Sequence, residues 1–286
     1  MDHTANYIEQ NPSVALYPDD TLEDLQRAGF QLIQKKRGFR FGLDSVLLAA
    51  YAASFYAKTP TRRLCVADLG VGCGAVSLLL AARLPNAQVT GLEIDSVSCE
   101  TFERNIRLNH LENRFKAVQG DIRDLAAGKH AHLALSAGSF DLVISNPPYE
   151  TFQPTRRQAE SEEWQSRRRA REETDLSLSE LIQAASRLLR SGGRLVLVHQ
   201  MRRLPDIFCV LRNFGLEAKT MRPIETLPGK SPVTVLISAL RDGRPGGFAA
   251  DAPLLICSKP GVWSAETALL YGLEKSVPDE KKEVRT

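Results

Sequence analysis

Residues 64–74 read LCVADLGVGCG, a short apolar run that is followed by three glycines separated by single residues. An apolar run that stops at glycine predicts a buried strand ending in a tight loop. Glycine lets this loop turn sharply, and it lets the backbone approach a ligand that a Cβ atom would push away. Residues 75–83 then show a helical pattern. The stretch therefore predicts a strand, a glycine-rich loop and a helix, an order that binds nucleotide-like cofactors in open α/β sheets.

Short apolar runs alternate with helical patterns on the carboxyl-terminal side of this loop. Such alternation is typical of βαβ units around a parallel sheet. The further predicted strands are 88–93, 115–119, 140–145, 194–199, 216–222 and 233–240. Ser177 and Glu180 predict a capping box for the helix before residue 194, and Gly192 and Gly193 are expected to end that helix. We predict an α/β fold with a mostly parallel seven-stranded sheet, helices on both faces and a terminal antiparallel hairpin.

Composition excludes several classes of protein. Of 286 residues, 43% are hydrophobic and 25% are charged, as in ordinary globular chains. The net charge of +3 is too small to indicate nucleic-acid binding by itself. The five cysteines form no CxxC pair, which argues against a zinc site or a redox dithiol. Because no signal peptide and no membrane-length apolar run is present, we expect a cytoplasmic protein without a membrane partner. We also expect a monomer that binds no metal.

The chain divides into five predicted segments. The ends are polar or highly charged, which is typical of flexible termini. We expect a flexible terminus at 1–20, a basic and aromatic extension with a helix at 21–63, the main domain at 64–240, an extended appendage at 241–272, and a charged tail at 273–286.

Acidic residues near the glycine loop indicate the class of cofactor. Glu93 ends the second predicted strand, where a carboxylate can accept hydrogen bonds from both ribose hydroxyls of an adenosine. Asp68 lies two residues before Gly70, the first of the three glycines Gly70, Gly72 and Gly74. Its carboxylate suits the ammonium of S-adenosylmethionine and would repel the pyrophosphate of a dinucleotide, although the glycine spacing fits both cofactors. Asp121, after the third strand, is either an acceptor for the adenine amino group or a solvated strand end.

The fourth predicted strand ends in Asn146-Pro147-Pro148-Tyr149. An amino group conjugated to a ring is a poor nucleophile, because its lone pair is delocalised. The Asn146 side-chain oxygen and the Pro147 carbonyl can each accept one of its hydrogens and so direct the lone pair at a methyl carbon. The prolines hold the loop rigid, and Tyr149 can stack on a planar acceptor. The alternative is a loop whose prolines only stop a strand.

Two basic segments are candidates for contacts with RNA. Lys35, Lys36, Arg37 and Arg40 are interleaved with phenylalanines, a pattern that suits phosphate and exposed bases but also fits core packing of the phenylalanines. Arg168 and Arg171 belong to an arginine-rich stretch after the acceptor motif. Glutamates in the same stretch leave a solvated mixed-charge helix as the alternative.

The chain resembles the class I S-adenosylmethionine-dependent methyltransferases that carry an NPPY signature and methylate amino groups of adenine, guanine or glutamine. Over residues 20–272 it is most similar to the tRNA adenine-N6 methyltransferase family that modifies the purine beside the anticodon of a valine tRNA. The segments that carry this resemblance are 25–52, NPPYE (146–150), RRRAREE (167–173) and SGGRLVLVHQMRRLPDI (191–207). It implies a Rossmann-like fold, cofactor contacts at Asp68, Gly70, Gly72, Glu93 and Asp121, and acceptor contacts at Asn146, Pro147 and Tyr149.

The resemblance leaves three functions open. The first is methylation of the N6 amine of a tRNA adenine, or of another amino group in RNA. The second is methylation of a glutamine amide in a release factor; enzymes of that type usually carry a larger helical domain than the 63 residues that precede the first strand here. The third is a cofactor-binding RNA partner without catalysis, which the intact NPPY motif disfavours.

Overall fold

A computed structural model of the protein describes residues 14–36, 40–129, 133, 135–147 and 176–273. Within them the elements are β1 (Asp20–Asp24), β2 (Gln31–Lys35), α1 (Leu43–Ser54), β3 (Leu64–Leu69), α2 (Ala75–Ala81), β4 (Ala87–Glu93), α3 (Ser96–Leu108), β5 (Phe115–Gln119), α4 (Ile122–Ala126), β6 (Phe140–Ser145), α5 (Leu178–Leu188), β7 (Leu189–Gln200), α6 (Leu204–Asn213), β8 (Leu216–Glu225), β9 (Thr234–Arg241), β10 (Ala249–Ala250), β11 (Leu254–Leu255), β12 (Cys257–Lys259), β13 (Val262–Trp263) and α7 (Ala265–Tyr271).

The central sheet confirms the predicted architecture. Its long strands lie in the order β5-β4-β3-β6-β7-β9-β8. The first five of these are parallel to one another, and β9 runs antiparallel between β7 and β8. The short strands β10 and β11 pair with the outer edge of β8, so the sheet has nine strands rather than the predicted seven. Two-residue strands were missed because they carry too few residues for an alternating pattern.

Helices cover both faces of the sheet, because successive strand residues point to opposite sides. On one face, Leu142 and Ile144 of β6 pack in a core with α1, α2 and α3. On the other face, Val143 packs with α4, α5 and α6. The predicted capping box is present at the start of α5, where the Ser177 hydroxyl accepts from the Glu180 amide and the Glu180 carboxylate accepts from the Ser177 amide.

The turn between α5 and β7 differs from the prediction. The helix ends at Leu188 and the strand begins at Leu189, so the two glycines lie inside the strand. They lie in an irregular part of the strand, since β7 has three extra residues between its pairs with Phe140 and Leu142, and Gly192 has a φ of 73°. Glycine suits such an irregularity as readily as a helix end, because it adopts a positive φ without strain.

The amino-terminal segment contains a hairpin that we did not predict. Strands β1 and β2 pair antiparallel, and β2 packs against α3. Residues 14–20, expected to be flexible, are part of this packed unit, since Val14 and Asp20 are buried. The sequence signal was weak because β1 reads DTLED, which is mostly polar. Phe41 packs partly buried against the core, as the core-packing alternative proposed.

The segment after β9 is more regular than an extended appendage. It contains α7, whose first turn is capped by the Ser264 hydroxyl. No helix in the described ranges is both long enough and apolar enough to cross a membrane.

Candidate active site

Four strand ends bring the predicted site residues to one edge of the sheet. Strands β3, β4, β5 and β6 are parallel neighbours, so their carboxyl ends lie side by side. At or just after these ends lie the glycine loop (β3), Glu93 (β4), Asp121 (β5) and Asn146 (β6). This edge is where ligands bind in open α/β sheets.

The order in which the chain adds strands to the sheet reverses between β3 and β6. It passes outward from β3 through β4 to β5, and it then crosses back to place β6 on the other side of β3. Asp68 pairs with Ile144 in this register, and the Ser145 hydroxyl donates a 2.7 Å hydrogen bond to the Leu69 carbonyl. The glycine loop and the Asn146 loop therefore leave adjacent strands at the same level. Such a switch point forms a crevice between the two loops.

The glycine loop has the backbone expected of a cofactor cradle. Gly70, Gly72 and Gly74 have φ values of 76°, 56° and 90°, which favour glycine. A Cβ atom added at Gly70 or Gly72 would meet nothing within 4 Å, so these residues border open space. At Gly74 a Cβ would lie 2.1 Å from Cδ2 of Phe102, which shows that this glycine is needed for packing. The loop thus fits a ligand at its first two glycines and the protein core at its third.

Asp68 lies beneath the loop rather than on its surface. Its side chain is buried and accepts a 2.7 Å hydrogen bond from the Ser77 hydroxyl of α2. The pKa of Asp68 is raised to about 7, mainly by burial and to a smaller extent by the charge of Glu93, while the Ser77 hydrogen bond acts to lower it. A buried carboxyl with such a pKa gains its charge only with difficulty, so a cationic ligand group nearby would stabilise the charged form.

Glu93 is bonded to the loop in front of it. One carboxylate oxygen accepts from the Gly72 amide at 2.9 Å, and the other accepts from the Asp95 amide at 3.0 Å. The side chain is partly exposed at the carboxyl end of β4. The neighbouring Ile94 is 49% exposed, which is unusual for a large apolar residue and which the sequence reasoning missed. At the carboxyl end of β4, Glu93 thus offers acceptor oxygens and Ile94 an exposed apolar side chain.

Asp121 is the amino-terminal cap of α4. This role was not among the two that we predicted, an acceptor for the adenine amino group or a solvated strand end. One oxygen accepts from the Arg123 amide at 2.8 Å, and the other accepts from the Arg123 Nε at 2.7 Å. Although burial acts to raise its pKa, the hydrogen bonds from Arg123 outweigh it and lower the pKa. The carboxylate is therefore charged and oriented by Arg123 at the carboxyl end of β5.

The acceptor motif is described only in part. Asn146 and Pro147 are half-buried at the end of β6, and Tyr149 lies outside the described residues. The neighbouring strand β7 contributes a residue that we did not predict: Leu197 pairs with Ser145, so the buried His199 lies at the level of Pro147. Burial and the charge of Arg203 lower the pKa of His199, which keeps the imidazole neutral at physiological pH.

The predicted RNA contacts differ in their environments. Lys35 forms a 2.8 Å ion pair with the buried Asp20, which also bonds Arg104, so its charge is neutralised within the fold. Lys36 is exposed and donates to the Pro18 carbonyl at 2.7 Å. Arg40 forms a 2.6 Å surface ion pair with Glu23. Arg37, Arg168 and Arg171 lie outside the described residues.

A second cleft lies away from this edge. It has a volume of about 450 Å³ and is lined by residues that include Arg212, Glu217 and Asp242, at the start of β8 and the end of β9. Because β8 runs in the direction of the parallel strands, its start lies at the opposite edge of the sheet. The cleft therefore does not belong to the site described above. Within the part of the chain that the structure describes, no group of three or more His, Cys, Asp or Glu side chains could bind a metal ion.

Comparison with known proteins identifies the family. Residues 52–162 match the family model described as methyltransferase small domain. The chain is 32% identical over 242 residues to a tRNA1(Val) (adenine(37)-N6)-methyltransferase of Porphyromonas gingivalis, covering 83% of this chain and 89% of that protein. It is 30% identical over 210 residues to the protein of the same name from Bacteroides fragilis, covering 73% and 80% of the two chains.

A solved structure supports the fold. A protein of Agrobacterium tumefaciens described as a predicted O-methyltransferase superposes with a TM-score of 0.62 at 24% identity, over 80% of this chain and 96% of that one. An α/β sheet with a glycine loop and an acidic strand end at its switch point fits an S-adenosylmethionine-dependent methyltransferase. The similarity to its relatives extends over most of both chains, and the protein therefore belongs to the family of the tRNA1(Val) (adenine(37)-N6)-methyltransferases.

Proposed function

We propose that this methyltransferase transfers a methyl group to the exocyclic N6 amine of an adenine in tRNA. The finer assignment, to the purine beside the anticodon of a valine tRNA, agrees with the names of its relatives. We expect the protein to act in the cytoplasm. The observation that carries the proposal is the adjacency of two loops. The glycine loop and the Asn146 loop leave neighbouring strands whose ends are tied by the Ser145 hydroxyl.

The cofactor contacts would come from the ends of β3, β4 and β5. Glu93 accepts hydrogen bonds from the ribose hydroxyls, and Ile94 offers an apolar surface to the adenine ring. The backbone of Gly70 and Gly72 borders the open space that the cofactor needs. Asp68 supplies negative charge toward the methionine ammonium, and Asp121 accepts from the adenine amino group. S-adenosylmethionine, when bound, supplies an electrophilic methyl carbon on its sulfonium.

The acceptor contacts would come from the end of β6. The Asn146 side-chain oxygen and the Pro147 carbonyl each accept one hydrogen of the target amine, which favours the pyramidal nitrogen of the transition state. Tyr149 stacks on the adenine ring. Much of the rate then comes from holding the nitrogen in line with the methyl carbon. An adenine in an anticodon loop must leave its stack to reach these groups.

The RNA contacts would involve Lys36 and Arg40, with Arg37, Arg168 and Arg171 as further candidates. Exposed cations bind phosphate and release counterions from RNA. The ion pair of Arg40 with Glu23 is solvent-exposed, and such pairs contribute little stability, so Arg40 can exchange its partner for a phosphate. Lys35 has a weaker case, because its partner Asp20 is buried and holds it within the hairpin.

The test is methyl transfer from tritiated cofactor to two substrates, unmodified total tRNA and release factor. Label in tRNA that digests to N6-methyladenosine supports the proposal; label in release factor alone indicates glutamine methylation and contradicts it. We expect Asn146→Ala to abolish transfer while the Kd for S-adenosylhomocysteine stays within a few fold of wild type. Asn86→Ala is the matched control, since Asn86 lies at the opposite end of β4 and bonds the Thr61 carbonyl. Unchanged turnover in Asn146→Ala would refute the role of this residue.

A further inference from the structure

The buried Asn105 on α3 joins two parts of the molecule that are far apart in sequence. Its side chain is fully buried. The amide oxygen accepts from the Ile33 backbone amide at 2.7 Å, and the amide nitrogen donates to the Ile33 carbonyl and to the Cys73 carbonyl, both at 2.8 Å. Ile33 belongs to β2 of the amino-terminal hairpin, and Cys73 belongs to the glycine loop. One side chain thus bonds both the hairpin and the cofactor loop.

Asn109, one helical turn further along α3, makes the same contact with the hairpin but none that reaches Cys73. Its oxygen accepts from the Gln31 amide and its nitrogen donates to the Gln31 carbonyl, both at 2.8 Å, with a third bond to the Asn105 carbonyl. In an edge strand, the N–H and C=O groups that do not bond the neighbouring strand recur at every second residue. Those of residues 31 and 33 point away from β1. The two asparagines therefore complete the edge of β2 as a neighbouring strand would.

The cofactor loop is held by several bonds, and Asn105 provides a side-chain bond to its last turn. The amides of Gly70 and Val71 donate to the Leu92 carbonyl at 2.9 and 3.1 Å, and the Gly72 amide donates to Glu93. The Cys73 carbonyl then receives the Asn105 amide, next to Gly74, whose missing side chain leaves room for Phe102. The two side chains on one face of α3, Phe102 and Asn105, thus fix the conformation of the loop where it enters α2.

The hairpin side of the contact is equally well anchored. Asp20 in β1 bonds Lys35 of β2 and the buried Arg104 of α3, at 2.8 and 2.6 Å. Gln34 accepts from the Phe41 amide at 3.2 Å, which ties β2 to the chain beyond the basic segment. Moving the hairpin away from α3 would break the two hydrogen bonds between Asn105 and Ile33, and leaving these buried groups unpaired is costly.

We propose that Asn105 is a positioning residue that couples the glycine loop to the amino-terminal hairpin and so sets the affinity for the cofactor. The proposal rests on the binding of the cofactor at this loop, which is part of the proposed function. Loss of the Asn105 amide leaves the Cys73 carbonyl without its bond and lets the loop relax, so that each binding event must order it again. The same coupling makes cofactor binding stabilise the hairpin that carries Lys36, since coupling between two sites is reciprocal.

The first experiment compares Asn105→Ala with Asn109→Ala, which remove the same side chain from neighbouring turns. We expect both to lower the melting temperature, because both lose the contact with β2. Titration calorimetry with S-adenosylhomocysteine should show a Kd raised about tenfold for Asn105→Ala, or about 1.4 kcal/mol, and a Kd within about threefold of wild type for Asn109→Ala. Equal changes in Kd for the two variants would overturn the proposal and leave Asn105 a purely structural residue.

The second experiment needs no variant and decides the case if Asn105→Ala fails to fold. Amide hydrogen exchange is measured on the wild-type protein with and without S-adenosylhomocysteine. Coupling through Asn105 predicts slower exchange at the Ile33 amide on binding, with a smaller change at the Gln31 amide. Binding without any such difference would refute the coupling but not the proposed function. Absence of binding to the wild-type protein would contradict the proposed function itself.

Discussion

Replacing Asp68 with asparagine should stabilise the protein and weaken its binding of the cofactor. Burial raises the pKa of Asp68 to about 7, against an ordinary value of 3.8. Between these two pH values the folded protein binds more protons than the unfolded chain. The free energy of unfolding therefore falls as the pH rises through this window, and the loss is complete above about pH 7. An asparagine has no charge to bury and can still accept from the Ser77 hydroxyl, so it removes this loss.

The magnitude follows from the pKa shift. A shift of about 3 units corresponds to about 4 kcal/mol at high pH, and about 1.7 kcal/mol of this is already lost at pH 5. The stability advantage of Asp68→Asn over wild type should therefore grow by about 2 to 3 kcal/mol between pH 5 and pH 8. A buried charge that lowers folding stability but favours ligand binding is typical of sites that hold a charged ligand.

Cofactor binding should strengthen as the pH rises, whereas folding stability falls. A cationic ammonium near Asp68 favours the carboxylate, so wild-type affinity for S-adenosylhomocysteine should fall by up to about tenfold per pH unit below pH 7. In Asp68→Asn the affinity should be lower at pH 8 and nearly independent of pH between 5.5 and 8.

Urea unfolding and titration calorimetry at several pH values measure both effects. Asp206→Asn is the matched control, because Asp206 forms a surface ion pair with Arg203 and its replacement should change neither pH profile. If Asp68→Asn keeps the wild-type pH dependence of both stability and binding, then burial does not perturb this carboxyl and our account of its role is wrong.

Three further predictions concern the loop, the ribose site and the RNA surface. Gly74→Ala should destabilise the protein by about 3 kcal/mol in urea unfolding, because its Cβ would overlap Phe102 and its φ is 90°. Glu93→Gln should raise the Kd for S-adenosylhomocysteine by at least about tenfold, since an amide replaces a charged acceptor. Lys36→Ala combined with Arg40→Ala should weaken tRNA binding more at low salt than at high salt, and lower the salt slope by about 0.7 per lost contact.

Each of these has a control in the same fold. Gly138 has a φ of 65° but nothing within 4 Å of an added Cβ, so Gly138→Ala should show the backbone cost alone, about 1 kcal/mol. Equal losses in the free energy of unfolding for Gly74→Ala and Gly138→Ala would show that overlap with Phe102 does not contribute. For tRNA binding, Arg63→Ala with Arg212→Ala removes two exposed cations at the opposite edge of the sheet and should leave the salt slope unchanged. For Glu93→Gln, an unchanged Kd would refute the ribose contact.

Hydrophobic runs and glycine punctuation were sufficient to predict the central sheet. The runs at 64–69, 115–119 and 140–145 coincide with β3, β5 and β6. Strands β3 and β6 are buried at nearly every position, which favours apolar residues at consecutive positions. Strand β5 lies at the edge of the sheet and exposes Lys116 and Gln119. The short edge strands, the β1–β2 hairpin and α7 were missed. Their apolar surface is small or is shared with other elements, so their local sequence carries little of the signal that stabilises them.

The same contrast holds at the candidate site. Residue type and position along the chain were enough to predict that Gly70, Glu93 and Asn146 lie at one edge of the sheet, since parallel strands bring their carboxyl ends together in any such fold. The partners of these residues were not predictable. Ser77 beneath Asp68 and Ile94 beside Glu93 carry no recognisable motif, and only their burial or exposure in the folded chain sets them apart.

Residue types and local spacing were sufficient to establish the fold class and the strands around the glycine loop, and the chemistry of the acceptor motif stays a prediction from the same local pattern. Packing in three dimensions was needed to show that Asp68 is buried, that Lys35 is neutralised by Asp20, and that Asn105 joins the hairpin to the loop. The pKa of a carboxyl and the partners of an amide depend on atoms brought close by packing, from positions 72 residues apart for Asn105 and Ile33. No local pattern encodes such distances.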